Sequence, residues 1–237
     1  MNKKALILAL SLAMLTGCGN KTDETKSTES NNASVTSTEK ETKKDENKSN
    51  EKEESKAQEE VKTDNDSFAN PKNIGKTISN EQLDYEIKKA GLTENEFSTG
   101  PFKIKITGVS AGTMTPKTEE MKSYLEDKDN TEAIILYASV ENTEDSKANL
   151  YLNQSQITTD TQEQLEPDLF LSEGNGEFLG AVKQDMSMVY YPQTDVEEIK
   201  EVVMYVNAPS NESFEPIGDE LTITIKFDDK GNVESIN

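Results

Sequence analysis

The stretch EAIILYASVEN, residues 132–142, is apolar at almost every position from Ile134 to Val140. Side chains of a strand point alternately to its two faces, so a strand with one wet face reads with period two. A run apolar on both faces predicts a central strand of a packed sandwich, covered on both sides. Shorter alternating runs surround it. PFKIKITGV (101–109) turns Phe102, Ile104 and Ile106 one way and Lys103 and Lys105 the other. ELTITIKFD (220–228) alternates most cleanly, with Leu221, Ile223, Ile225 and Phe227 on one face. DMSMVYY (185–191) offers Met186, Met188 and Tyr190, KEVVMYVN (200–207) is a further buried run, and SQITTD (155–160) is a weaker strand.

EQLDYEIKKAGL (81–92) suits two readings: Leu83, Tyr85 and Ile87 alternate as in a strand, while Leu83, Ile87 and Ala90 before Gly91 suit a helix. Strand is the favoured one. One short helix is expected in MTPKTEEMKSYLEDKDN (114–130), with Thr115 as its cap, Pro116 as its first residue and Met121, Tyr124 and Leu125 on one face. About seven short strands separated by turns predict an all-β fold, an immunoglobulin-like antiparallel β-sandwich, over residues 68–237. That length suffices for one sizeable core, with the surplus in loops such as 163–180.

The rest of the chain differs in composition. MNKKALILALSLAMLTGC (1–18) has a basic start, an apolar core too short to span a bilayer, and small residues before Cys18, the single cysteine of the 237 residues. This predicts a secretory signal peptide over 1–17. LTGC resembles the bacterial lipobox at all four positions, which implies cleavage before Cys18 and a diacylglycerol on its sulfur. Two acyl chains hold a protein stably at a membrane, at about 0.8 kcal/mol per buried methylene. With no second cysteine, no disulfide is available to the fold. Residues 18–67, beyond the lipidated Cys18, are rich in Lys, Glu, Asn, Ser and Thr and lack aromatic residues. Such a segment cannot bury enough apolar surface to order itself and is expected to act as a disordered tether, with a root-mean-square reach of roughly 35–40 Å.

With 46 acidic and 25 basic residues the net charge is −21. A nucleic-acid partner is therefore not expected, because that attraction is cation to phosphate; cationic partners or divalent cations suit better. The chain has no histidine, which removes the usual general base at neutral pH and the usual nitrogen ligand of zinc sites. Carboxylate chemistry, Ser-Lys or Tyr-Lys arrangements and oxygen-ligated calcium are the chemistries left.

GPFKIKITGVSAG, AIILYASVENTEDSKANLYL, GAVKQDMSMVYYP and the closing EVVMYVN and LTITIKF together resemble the uncharacterised immunoglobulin-like lipoproteins of Gram-positive bacteria, which have a telokin-like, immunoprotective-antigen type of sandwich. The piece VENTEDSKANLYL, a central strand ending in Val-x-Asn-Thr before a loop, carries the resemblance furthest. It implies a secreted or tethered binding domain and brings no catalytic residue with it.

Four local clusters are candidate sites. DDKGN (228–232) faintly resembles a calcium loop but lacks the further ligands, and reads as a turn. EDKDNTE (126–132) crowds acids that invite calcium, yet lacks the glycine of a sharp turn and reads as a solvated loop. DVEEIKE (195–201) sets Glu197 and Glu201 at helical spacing, a carboxylate pair with nothing to part its two pKa values, and reads as surface. MVYYP (188–192) must turn Tyr190 and Tyr191 to opposite faces, leaving one outward for contact. The expectation is thus a non-enzymatic protein held at the membrane by lipid on Cys18, on the extracytoplasmic face of a Gram-positive cell. It would bind an envelope protein or cell-wall partner, with no catalytic, cofactor-binding or metal residues assigned. A carboxylate-based wall-acting enzyme and a calcium-dependent adhesive module are the alternatives.

Overall fold

The computed structural model describes residues 68–237, so the expected signal peptide, Cys18 and the expected tether lie outside the described residues. Thirteen strands form three antiparallel sheets. The first contains β1 (Thr77–Ser79), β2 (Leu83–Thr99), β3 (Phe102–Pro116), β4 (Thr131–Asn142) and β9 (Lys183–Tyr190), in that spatial order. The second runs β13 (Val233–Ile236), β12 (Leu221–Phe227), β10 (Glu201–Val206), β6 (Gln156–Thr159), β7 (Gln164–Leu165), and the third is β11 (Ser210–Asn211), β5 (Lys147–Asn149), β8 (Glu177–Leu179). The all-β sandwich expected from sequence is what forms. Its strands outnumber the expected seven because the supposed loop 163–180 holds β7 and β8, and short edge strands extend each sheet.

The quoted run lies in β4, between β3 and β9, and both its faces are packed. Ile134, Leu136, Ala138 and Val140 join Phe102, Ile104, Met186, Met188 and Tyr190 against Ile157, Val202, Met204, Ile223, Ile225 and Phe227 of the second sheet. Burying each such side chain contributes about 1.5–3 kcal/mol. Ala133, Ile135 and Tyr137 face the other way, into a smaller core with Tyr85, Ile87, Met114, Met121, Leu125 and Ala69. Ala69 is seated where Gly108 has no side chain; a Cβ on Gly108 would come within 2.6 Å of the Ala69 Cβ.

Three register shifts interrupt the β2–β3–β4 ladders, and two of them decide which residues share a face. In β3 the register slips between Ile106 and Gly108, so Val109 and Ala111 continue the inner face begun by Phe102, Ile104 and Ile106 while Met114 faces outward. In β2 the slip lies between Ile87 and Lys89, and it lets two consecutive lysines reach one turn. Lys88 meets Asp195 at 3.3 Å and Glu132 at 3.5 Å. Lys89, only 5% exposed, donates to the carbonyls of Glu197 (3.1 Å) and Ile199. From Leu83 onward the stretch 81–92 is strand, the first part of β2, as favoured.

The expected helix, α1 (Glu119–Tyr124), forms but starts later than expected. Thr118, not Thr115, caps it by accepting from the Met121 N–H at 3.1 Å. Thr115 and Pro116 stay in β3, opposite Asp84 and Leu83 of β2, so sheet pairing prevails over the Thr-Pro start signal.

A candidate ligand-binding hollow beside α1

The four sequence clusters separate into two that disperse and two that meet. In 228–232, Asp228 Oδ1 accepts from the backbone N–H of Lys230 and of Asn232, each at 2.8 Å, which is the expected turn. The helical spacing read into 195–201 does not hold: Glu197 lies in a turn near Lys88, and Glu201 opens β10 and pairs with Lys226 at 3.0 Å. Their carboxylates engage different lysines on different elements.

Residues 126–132 and Tyr191 come together. Tyr124, Leu125, Glu126, Lys128, Thr131, Asp168, Tyr191 and Gln193 line a hollow of about 290 Å³, near the lower end of ligand-site volumes. The acids of 126–132 do not converge there: Glu126 pairs with Lys128 at 3.0 Å, Asp129 with Lys122 at 2.6 Å, and Glu132 accepts from Thr113 at 2.7 Å. Tyr190 points inward and donates to the Ser155 carbonyl at 2.9 Å, while the next residue, Tyr191, reaches the hollow on the opposite face. That opposition is the one strand geometry predicts.

Asp168 is the charged centre, and nothing in the sequence reading singled it out. Its loop is stitched to β9: the Asp168 N–H donates to the Val189 carbonyl at 2.7 Å, and the Val189 N–H donates to Ser172 Oγ at 3.0 Å. Asp168 Oδ1 accepts from the N–H of Phe170 (2.8 Å) and Leu171 (3.0 Å) in an Asx turn. The Tyr124 hydroxyl donates to both carboxylate oxygens, at 2.6 and 2.5 Å. Phe170, 77% exposed, packs tilted against the Tyr124 ring with centroids 5.1 Å apart. Thr131 Oγ1 is buried without a hydrogen bond, and the buried Tyr191 hydroxyl lies against the Asp168 carboxylate. An orphaned group such as Thr131 Oγ1 is uncommon and costly.

The rim is strained. Glu126 and Asp127 both have φ of 59°, in the left-handed region where helices usually end on glycine. Keeping side chains there costs about 1–2 kcal/mol per residue. The strain closes α1 through the Asp127 N–H to the Lys122 carbonyl at 2.9 Å and sets Glu126 on the hollow's edge.

Electrostatics keep these groups in one protonation state. Burial alone would raise the Asp168 pKa, but hydrogen bonds from Tyr124 and from the N–H groups of Leu171 and Phe170 hold it below its ordinary value. Burial and the Asp168 charge push both Tyr124 and Tyr191 upward. Asp168 is therefore an anion and the tyrosines neutral at physiological pH. A carboxylate whose folded pKa is depressed stabilises the fold fully above its unfolded value of 3.8, and that contribution is lost as pH falls through the folded value. Thermal melting of Asp168→Asn and the parent is expected to differ above about pH 4 and to converge in more acid solution. A constant difference through acid pH would remove this assignment.

No family model and no curated protein matches the chain. Solved structures with related outlines include a functionally unknown protein from Listeria monocytogenes EGD-e, 12% identical with TM-score 0.43, over 58% of this chain and 85% of that one. The yjhA protein from Bacillus subtilis is 14% identical with TM-score 0.41, over 58% and 99% of the two chains. A conserved hypothetical protein from Bacillus anthracis is 14% identical with TM-score 0.35, over 59% and 99%. At these scores the likenesses bear on neither the hollow nor its chemistry.

Proposed function

We propose that this chain is a lipid-anchored extracytoplasmic binding protein of the cell envelope, tethered through Cys18, whose folded domain presents the Asp168 hollow to an envelope partner. The observation that carries the binding reading is the pairing of an ionised, half-buried carboxylate with exposed aromatic rings at Tyr124 and Phe170. Asp168 is held below and Tyr124 and Tyr191 above their ordinary values, so these three hold charge and hydrogen bonds rather than exchange protons, and general acid–base catalysis favours groups poised near the working pH. That supports binding over the carboxylate-enzyme alternative. The anchoring half of the proposal rests on LTGC and its unique cysteine.

The test places a photocrosslinking residue at position 170 or, as a control, at Tyr205, another exposed position on the second sheet. On intact cells a discrete adduct is expected from position 170 and none from 205. Cys18→Ala is expected to release the protein from the membrane fraction and abolish fatty-acid labelling. Equal adducts from both positions would remove the binding site; membrane retention of Cys18→Ala without label would remove the lipid anchor.

A further inference from the structure

The hollow contains an anion with no counter-ion. Among the described residues Asp168 forms no salt bridge; its partners are the neutral Tyr124 hydroxyl and backbone N–H groups. The nearest lysine in the lining, Lys128, is engaged by Glu126. Two rings line the hollow and a third, Phe170, stacks beside it. Aromatic faces attract cations, by about 0.5–2 kcal/mol depending on desolvation. A net charge of −21 adds a long-range attraction of the same sign.

An anionic ligand would meet Asp168 and Glu126 together and is disfavoured. A cation is favoured, and the oxygens specify which kind. Thr131 Oγ1 has no hydrogen-bond partner and Thr131 is only 8% exposed, while the Tyr191 hydroxyl lies against the Asp168 carboxylate. A quaternary ammonium has no N–H to offer these oxygens. A primary ammonium has three, and its aliphatic stem suits a ring surface. The strained rim at Glu126 and Asp127 is consistent with a ligand site, because strain of this kind is retained where it serves recognition.

We propose that the hollow takes a primary alkylammonium group of the lysine side-chain type. Its head lies among Asp168, Thr131 and Tyr191, and its stem lies along the Tyr124–Phe170 rings. This rests on the binding reading above and names the ligand chemistry for the same site.

The test titrates the full-length protein with N-acetyl-lysine methylamide, followed by ligand-observed saturation-transfer NMR. The controls are N-acetyl-norleucine methylamide, which keeps the stem without the charge, and choline, which keeps the charge without N–H donors. Saturable binding of the lysine probe is expected, at least tenfold tighter than either control. Asp168→Asn, which retains an acceptor oxygen, is expected to weaken it at least tenfold. Phe170→Ala, at an exposed side chain, is expected to weaken it severalfold and leave folding intact.

Equal binding of norleucine overturns the proposal, as does unchanged affinity in a folded Asp168→Asn. Equal binding of choline also overturns it and assigns the site to ring–cation attraction alone. If the lysine probe does not bind while the adduct at position 170 persists, the ligand class falls and the binding reading stands. Loss of both removes both.

Discussion

Phe178→Ala is expected to destabilise the folded domain by about 3–5 kcal/mol, the range for emptying a buried phenylalanine site. Phe178 is 1% exposed and meets Phe102 edge-on, with ring centroids 5.0 Å apart and planes at 72°. It sits on β8, whose ladder partner is β5 through Ala148↔Phe178. Ala148 and Leu150 enter the same core. The small third sheet is thus held to the sandwich by the side chains on its inner face. For a domain of this size the loss corresponds to a melting point lower by roughly 10 °C. Urea unfolding measures it, and the midpoint should fall with little change in slope. A loss under about 1 kcal/mol would show that β5 and β8 are a peripheral flap whose detachment leaves the main core intact.

Asn142→Ala carries the second large effect, through polar rather than apolar burial. Asn142 is 1% exposed at the end of β4. Its Nδ2 donates to the carbonyls of Ser146 (2.9 Å) and Gly180 (3.0 Å), and its Oδ1 accepts from the Glu144 N–H at 3.1 Å. Alanine leaves two acceptors and one donor without partners, at about 1 kcal/mol or more each, so a loss of about 3 kcal/mol is expected. Asn142→Asp should cost at least as much, because it turns an anion toward two carbonyl oxygens. Faster hydrogen exchange at the Glu144 N–H should accompany both changes. Unchanged exchange there would mean that the loop is held by something other than this side chain. Asn142 is also the asparagine of the Val-x-Asn-Thr piece, which gives that pattern a physical reason: it fastens the loop after the central strand to Gly180, in the turn between β8 and β9.

The period-two runs were legible because each alternating side chain meets a core or water, and β3, β9, β10 and β12 follow them, while β4 was legible as a run buried on both faces. The bulges were not. An extra residue at Lys88 or Thr107 leaves no composition signal, yet it decides that Lys88 and Lys89 serve one turn and that Met114 faces outward. The far half of β2, TENEFST at 93–99, is polar and carries no pattern, and it is strand because β3 pairs with it from Asn95 to Thr99. The outer cover of the first sheet comes from Phe68, Ile74, α1 and Leu171, short pieces with no shared period.

Half of the hollow was visible as 126–132 and MVYYP, but as unrelated clusters. What joins them is Asp168, one acid in a long connection. The only local trace of its role is Pro-Asp followed by three apolar residues, the form an Asx turn takes when its carboxylate accepts from N–H groups two and three positions on.

Ala69 in the notch left by Gly108 makes the entrance to the domain a mechanical latch. Pulling on the chain from its amino-terminal side acts first on the Ala69–Gly108 fit and on Phe68 against the Tyr85 ring, 5.6 Å away. The next resistance is the three-rung pairing of β1 with β2, and only behind it stand the long ladders of β2, β3 and β4. A domain that grips a partner while held from that end would give way in this order, yielding a little length at low force before the sandwich bears the load.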